Sequence, residues 1–190
     1  MPCKQGIREN IEKSKEYYRK KKEYDPVREL WKSLVNRVYE TDTGFAGLRE
    51  EEKTYFVVCI LDGETYNGGI EQFFSNSSGE YYSRVIDGLL ELEAFETLKL
   101  LKEAKEILFE KRPIPTGQRE RYEAMRHLPK NTKEKPDWYV RLDQIDGEYY
   151  EDPDGLGERL EAYAESKGLI EPFKKGAEQV ASRNPDEPVS

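Results

Sequence analysis

Seven consecutive apolar residues, Tyr55-Phe56-Val57-Val58-Cys59-Ile60-Leu61, constrain this chain more than any other feature. A run that is apolar on every side needs burial on every side, as a sheet-core strand or a central helix. The helix is the better reading. The run does not alternate, no second strand-like run appears, and Glu50-Glu51-Glu52 precedes it. Carboxylates in a first turn suit the positive end of a helix dipole. Asn67-Gly68-Gly69 follows and ends the helix, because glycine takes positive φ at little cost.

Amphipathic stripes surround this segment. Asp25-Pro26 reads as a cap and a first helical residue. Val27, Leu30, Trp31, Leu34, Val35 and Val38 follow at helical spacing until Gly44 and Gly47. Ile70, Phe73 and Phe74 suggest a short turn, stopped by Asn76-Ser77-Ser78-Gly79. Tyr82, Val85, Ile86, Leu89 and Leu90 form the next stripe; Leu98, Leu101, Lys105 and Leu108 form another, ended by Pro113 and Pro115. Residues 118–127 read as helical and Pro129 to Pro136 as a basic loop, while Trp138 to Tyr150 carries no clear assignment. Leu156, Leu160, Tyr163 and Lys167 mark a late helix ending at Gly168.

The reading is therefore all-α. It places a single multi-helix globular domain over 25–181, a basic N-terminal arm or helix over 1–24, and a disordered tail over 182–190. Phe73 and Phe74 are expected to pack against the Tyr55–Leu61 helix. Asn67 and Asn76 are expected to bond backbone at helix ends.

Composition bounds the function. Leu, Ile, Val and Phe make up 22% of the 190 residues, and 13 Tyr and 2 Trp add the area a core needs. No run of 18 apolar residues offers a membrane span, and the N-terminus has no apolar signal core. Cys3 and Cys59 stand apart in no pair motif, which suits a reducing cytoplasm. A single histidine, His127, excludes sites built on two.

Few segments suggest catalysis. Asn67-Gly68-Gly69 with Gln72 fits an active-site loop or a plain helix-to-helix turn, and no nucleophile–base pair stands beside it. An enzyme with a pocket around Asn67, Gln72 and Asn76 is the alternative reading. Ser77-Ser78 reads as a helix cap, Cys59 as a small core residue and His127 as a surface residue. Gly155-Leu156-Gly157 lacks the third glycine and the strand of a dinucleotide fingerprint. The acidic run from Asp143 to Asp154 does not fit calcium-loop spacing. No cofactor and no metal are implied, and the chain reads as non-enzymatic.

Charge is more informative. The net charge of −8 divides into +4 over residues 1–40, −9 over 41–110, +5 over 111–135 and −8 over 136–190. Lys20-Lys21-Lys22 reads as a solvated charge run rather than a nucleic-acid site, since the whole chain repels phosphate. The segment 137–165 holds ten carboxylates: Asp137, Asp143, Asp146, Glu148, Glu151, Asp152, Asp154, Glu158, Glu161 and Glu165. Only Arg141 and Arg159 oppose them. Glu158, Glu161 and Glu165 fall opposite the Leu156–Leu160–Tyr163 stripe, so they are expected to face solvent together. Carboxylates one turn apart stand about 5–6 Å from each other. Each strand of B-DNA carries a charge about every 3.4 Å, so two or three adjacent acidic rows would approach its density. Such a face stores repulsion that a basic partner relieves.

The stretch from Leu48 to Leu108 resembles the bacterial DNA-mimic protein family. The resemblance rests on Asn67, Gly68, Gly69, Gln72, Phe73, Phe74, Asn76, Ser77, Ser78 and Gly79, with Ile70 where the family carries an aromatic residue. A weaker similarity runs from Leu142 through Tyr149-Tyr150 to Tyr163. The resemblance implies an all-α fold, often dimeric, that presents acid in place of DNA to a DNA-binding protein. Together the two readings predict a cytoplasmic acidic interaction protein. Its partner is a basic protein, with a DNA-binding regulator as one candidate, and it binds neither nucleic acid nor membrane. A homodimer is compatible, and the signature residues read as structural.

Overall fold

Asp25 starts the first helix as its sequence suggests: its carboxylate accepts from the N–H groups of Val27 and Arg28 at 3.1 and 3.3 Å, and Pro26 takes the first helical position. The computed structural model describes Lys15, Arg19 and residues 24–110, 112–128 and 134–171. The expectations for the arm, apart from Lys15, Arg19 and Tyr24, and for the tail lie outside the described residues.

Eight α-helices run from Pro26 to Ser166 in these residues. They are α1 (Pro26–Glu40), α2 (Glu50–Gly68), α3 (Ile70–Ser75), α4 (Tyr82–Glu91), α5 (Phe95–Phe109), α6 (Gln118–Ala124), α7 (Asp137–Tyr150) and α8 (Leu156–Ser166). Short 3-10 turns at Gly44–Gly47 and Ser77–Tyr81 join some of them. No strand occurs among the described residues. The protein is one all-α globular domain.

The apolar run is the central helix. Tyr55, Phe56, Val57, Val58 and Leu61 are all buried, and α2 packs against α1, α3, α4 and α8. Glu52 serves its first turn, accepting from the Arg49 N–H at 2.8 Å and pairing with Arg37 at 2.7 Å. Burial works against that carboxylate's charge, but Arg37 and the Arg49 N–H outweigh it and lower its pKa.

Phe73 and Phe74 of α3 are fully buried. Phe74 meets Phe73, Tyr82 and Phe109 at ring distances of 5.2, 5.7 and 5.5 Å. On α1, Trp31 stacks on Phe56 at 5.5 Å. The α8 stripe of Leu156, Leu160 and Tyr163 is buried, and Gly168 follows at φ +64°.

One segment left open gains an assignment, and two local expectations need correction. Trp138 to Tyr150 lies within a regular helix, α7, whose buried residues are Leu142, Ile145 and Tyr149. Acidic residues between those positions obscure its stripe. Leu90 closes the α4 stripe on paper but is exposed, because it lies at the margin of the buried arc. Residues 118–127 are helical only to Ala124.

Candidate functional site

The glycine–amide segment after α2 is organised by one carboxylate. Glu64 lies one turn before the end of α2. Its Oε2 accepts from Gln72 Nε2 at 2.6 Å and Asn76 Nδ2 at 2.8 Å. Its Oε1 lies 3.0 Å from Ser78 Oγ, which also reaches the Phe73 carbonyl at 3.1 Å. Asn76 thus bonds a carboxylate rather than backbone, and Asn67 is exposed. Ser78 ties the turn to Glu64 instead of capping a helix. Sequence reasoning saw the amides but missed Glu64, whose position two turns after the first Val of the run carries no periodic signal of a polar role.

Arg121 holds the far side of the same turn. Its side chain is fully buried and faces carbonyls. Nε donates to Phe74 O at 2.7 Å; Nη1 donates to Pro115 O and Thr116 O at 3.1 and 2.8 Å. Nη2 donates to Asn76 O and Ser77 O at 2.5 and 3.3 Å. A guanidinium forks toward several acceptors at once, which suits the carbonyls left over where α3 ends. Burial lowers its pKa, partly opposed by Glu80. Nothing in the sequence near Arg121 announced this role.

The acidic segment divides between structural work and solvent. Asp146 on α7 accepts from the Ile70 N–H at 2.8 Å and so caps α3 from another helix. Gly69, at φ +79°, is what lets it approach: a Cβ there would stand 2.4 Å from Asp146 Oδ2. Burial pushes the Asp146 carboxyl above its ordinary pKa, the Ile70 N–H opposes this, and Asp143 adds to it. Asp154 accepts from the Thr97 N–H at 2.7 Å and caps α5. Asp152 accepts from the Leu156 N–H at 2.8 Å at the start of α8. Asp143 pairs with Lys135, and Glu148 with Arg141. Arg141 also grips both oxygens of Glu103, at 2.7 and 2.9 Å.

Asp137, Glu151 and Glu158 remain exposed, but Glu161 and Glu165 are half-buried. The three α8 glutamates therefore do not face solvent together as their spacing suggests: the neighbouring core reaches the flank of the helix. The ten carboxylates are therefore distributed along α7, its following loop and α8, with different degrees of freedom.

A surface groove of 230 Å³ lies between α1, α2 and α3, bounded by Trp31, Cys59, Ile60, Gly63, Glu64, Asn67 and Gln72. It contains two of the three amides of the enzymatic alternative, Asn67 and Gln72. Gln72, like Asn76, spends its amide on Glu64. Burial pushes the Cys59 thiol up to about 12, against the effect of Tyr55, so the groove holds a thiol rather than a thiolate nucleophile at neutral pH. Among the described residues, no three His, Cys, Asp or Glu side chains converge as metal ligands. No described helix is long and apolar enough to cross a membrane.

Fold and site together define a class: an all-α domain of acidic net charge, whose inter-helix turns are held by a carboxylate hub and a buried guanidinium. The particular family follows from comparison. The family described as DMP19-like protein matches residues 46–167, most of the chain, and the protein belongs to that DNA-mimic family. The comparisons with curated proteins and with solved structures gave no match.

Proposed function

We propose that this chain is a non-enzymatic interaction protein of the DNA-mimic type, which binds a basic protein through carboxylates of the 137–165 segment. The observation that supports this most is membership of the DMP19-like family, whose match contains that whole segment. Asp137, Glu151 and Glu158 supply exposed charge on helices and a loop that do not need to fold on contact. Like charges on a rigid frame repel until an opposite charge arrives. A protein surface shaped for phosphates, such as that of a DNA-binding regulator, is the complementary partner. We place it in the cytoplasm, working without a cofactor, and a homodimer is compatible with this role.

The test is competition. A panel of purified basic DNA-binding proteins is held on labelled duplex DNA, and the chain is added at low and physiological salt. Release of DNA from at least one member, weaker at the higher salt, is the expected result. Failure to bind any member at low salt would overturn the reading.

A further inference from the structure

Tyr66 on α2 and Tyr150 at the end of α7 bring their rings to 5.5 Å between centroids, tilted by 31°. Both remain open to solvent, 53% and 45% exposed. Their support is rigid. Tyr149, buried beside them, meets Tyr66 edge-on at 5.9 Å and donates its hydroxyl to Asp62 Oδ1 at 3.1 Å. The Tyr150 hydroxyl donates to the Thr65 carbonyl at 3.1 Å. The polar end of Tyr150 is therefore occupied, while ring surface on both tyrosines is left uncovered.

Burial raises the Tyr66 pKa, and the nearby charges of Asp62 and Asp152 add to the rise, so negative charge borders these rings. Asp62 accepts from Tyr149 through one oxygen, and Asp152 accepts from Leu156 through one oxygen. Among the described residues neither carboxylate has an ion-pair partner, unlike Asp143 and Glu148 in the same acidic segment. Burial raises the Asp62 pKa and the charge of Asp152 adds to the rise, the Tyr149 hydroxyl opposing both. Aromatic faces attract cations, and a planar guanidinium stacks on a ring while donating in its own plane. An ammonium is more strongly hydrated and gains less from the rings.

We propose that Tyr66 and Tyr150, with the oxygens of Asp62 and Asp152 that carry no hydrogen bond among the described residues, seat an arginine side chain of a basic protein partner. The proposal rests on the reading that the partner is a basic protein. It identifies one anchoring point where charge alone would leave the contact unspecific.

The probe is a fluorescein-labelled octapeptide of alternating Arg and Gly, compared with the same peptide carrying citrulline for arginine. Anisotropy with the full chain at low salt should show binding of the first and not the second. Tyr66→Leu should weaken binding about threefold, and Tyr66→Leu with Tyr150→Leu about tenfold. Tyr150→Phe keeps the ring and should keep the affinity. Asp62→Asn retains an oxygen for Tyr149 and should weaken binding more than Asp137→Asn, which removes the same charge about 20 Å away along α7. In the unaltered protein, the arginine peptide should shift the ring-proton resonances of Tyr66 and Tyr150 but not those of Tyr24 and Tyr39. Equal losses from Asp62→Asn and Asp137→Asn, with none from the ring variants, would overturn the seat while leaving the basic-partner reading intact. Absence of salt-dependent binding to the arginine peptide would overturn both.

Discussion

The Nε of Arg121 lies 2.5 Å from the point where a Cβ on Gly79 would stand. The Phe74 carbonyl would be 2.9 Å from the same point. Gly79 is therefore absent of side chain so that a buried guanidinium can reach across the turn. It is not there for a positive φ, which it does not adopt.

Gly79→Ala should destabilise the protein by about 1–3 kcal/mol, as overpacking against fixed atoms does. Arg121→Leu should cost more, about 3 kcal/mol or above, since it strands several carbonyls. Urea unfolding measures both. A Gly79→Ala protein as stable as the parent would show that the guanidinium has room to move.

Glu64 gathers Gln72, Asn76 and Ser78. Glu64→Gln replaces one accepting oxygen with a donor that faces other donors. We expect a loss of about 2 kcal/mol, in the range for hydrogen bonds to a charged group. Chemical denaturation with unchanged slope, together with a retained helical circular dichroism spectrum, would place the loss at this turn.

Asp146 gives a pH test with a definite sign. Its pKa in the fold is raised above the ordinary 3.8, first by burial. The folded state thus holds the proton more tightly than the unfolded state, and this residue's contribution to stability falls as pH rises through the folded pKa. Below the ordinary value both states are protonated and the contribution is level. Asp146→Asn removes the titration and keeps an oxygen for the Ile70 N–H. Its stability relative to the parent should therefore be more favourable at about pH 7 than at about pH 3. Asp146→Ala should cost about 1 kcal/mol at about pH 3, as the loss of a helix cap does, and less at about pH 7, since it removes the same titration.

Glu158 is exposed on α8, and Glu161 and Glu165 are half-buried beside its buried residues Leu156, Leu160, Tyr163 and Ala164. Changing all three to Gln should leave the thermal midpoint nearly unchanged and slow association with a basic partner, with a flatter salt dependence. Unaltered affinity at low salt would remove α8 from the binding face. The unaltered chain should also bind duplex DNA no better than weakly at physiological salt; a tight complex with a steep salt slope would contradict that.

Much of this fold could be read along the chain because its causes are local. Asp25-Pro26 starts α1, the apolar run fills α2, and Gly168 follows α8, each through backbone geometry and side-chain spacing within a few residues. α7 escaped because Asp143, Asp146 and Glu148 stand among its few apolar residues along the chain and obscure their spacing. The roles of the polar residues were decided by tertiary contact. Asp146 and Ile70 are 76 positions apart, Asp154 and Thr97 are 57 apart, and Arg121 and Phe74 are 47 apart. Residue order shows that a carboxylate or guanidinium is present, and charge counting treats every carboxylate alike. Which ones are spent on an orphan N–H and which stay open to a partner depends on what the packed helices bring within about 3 Å. That distance is set by the whole core, and no short window of sequence contains it.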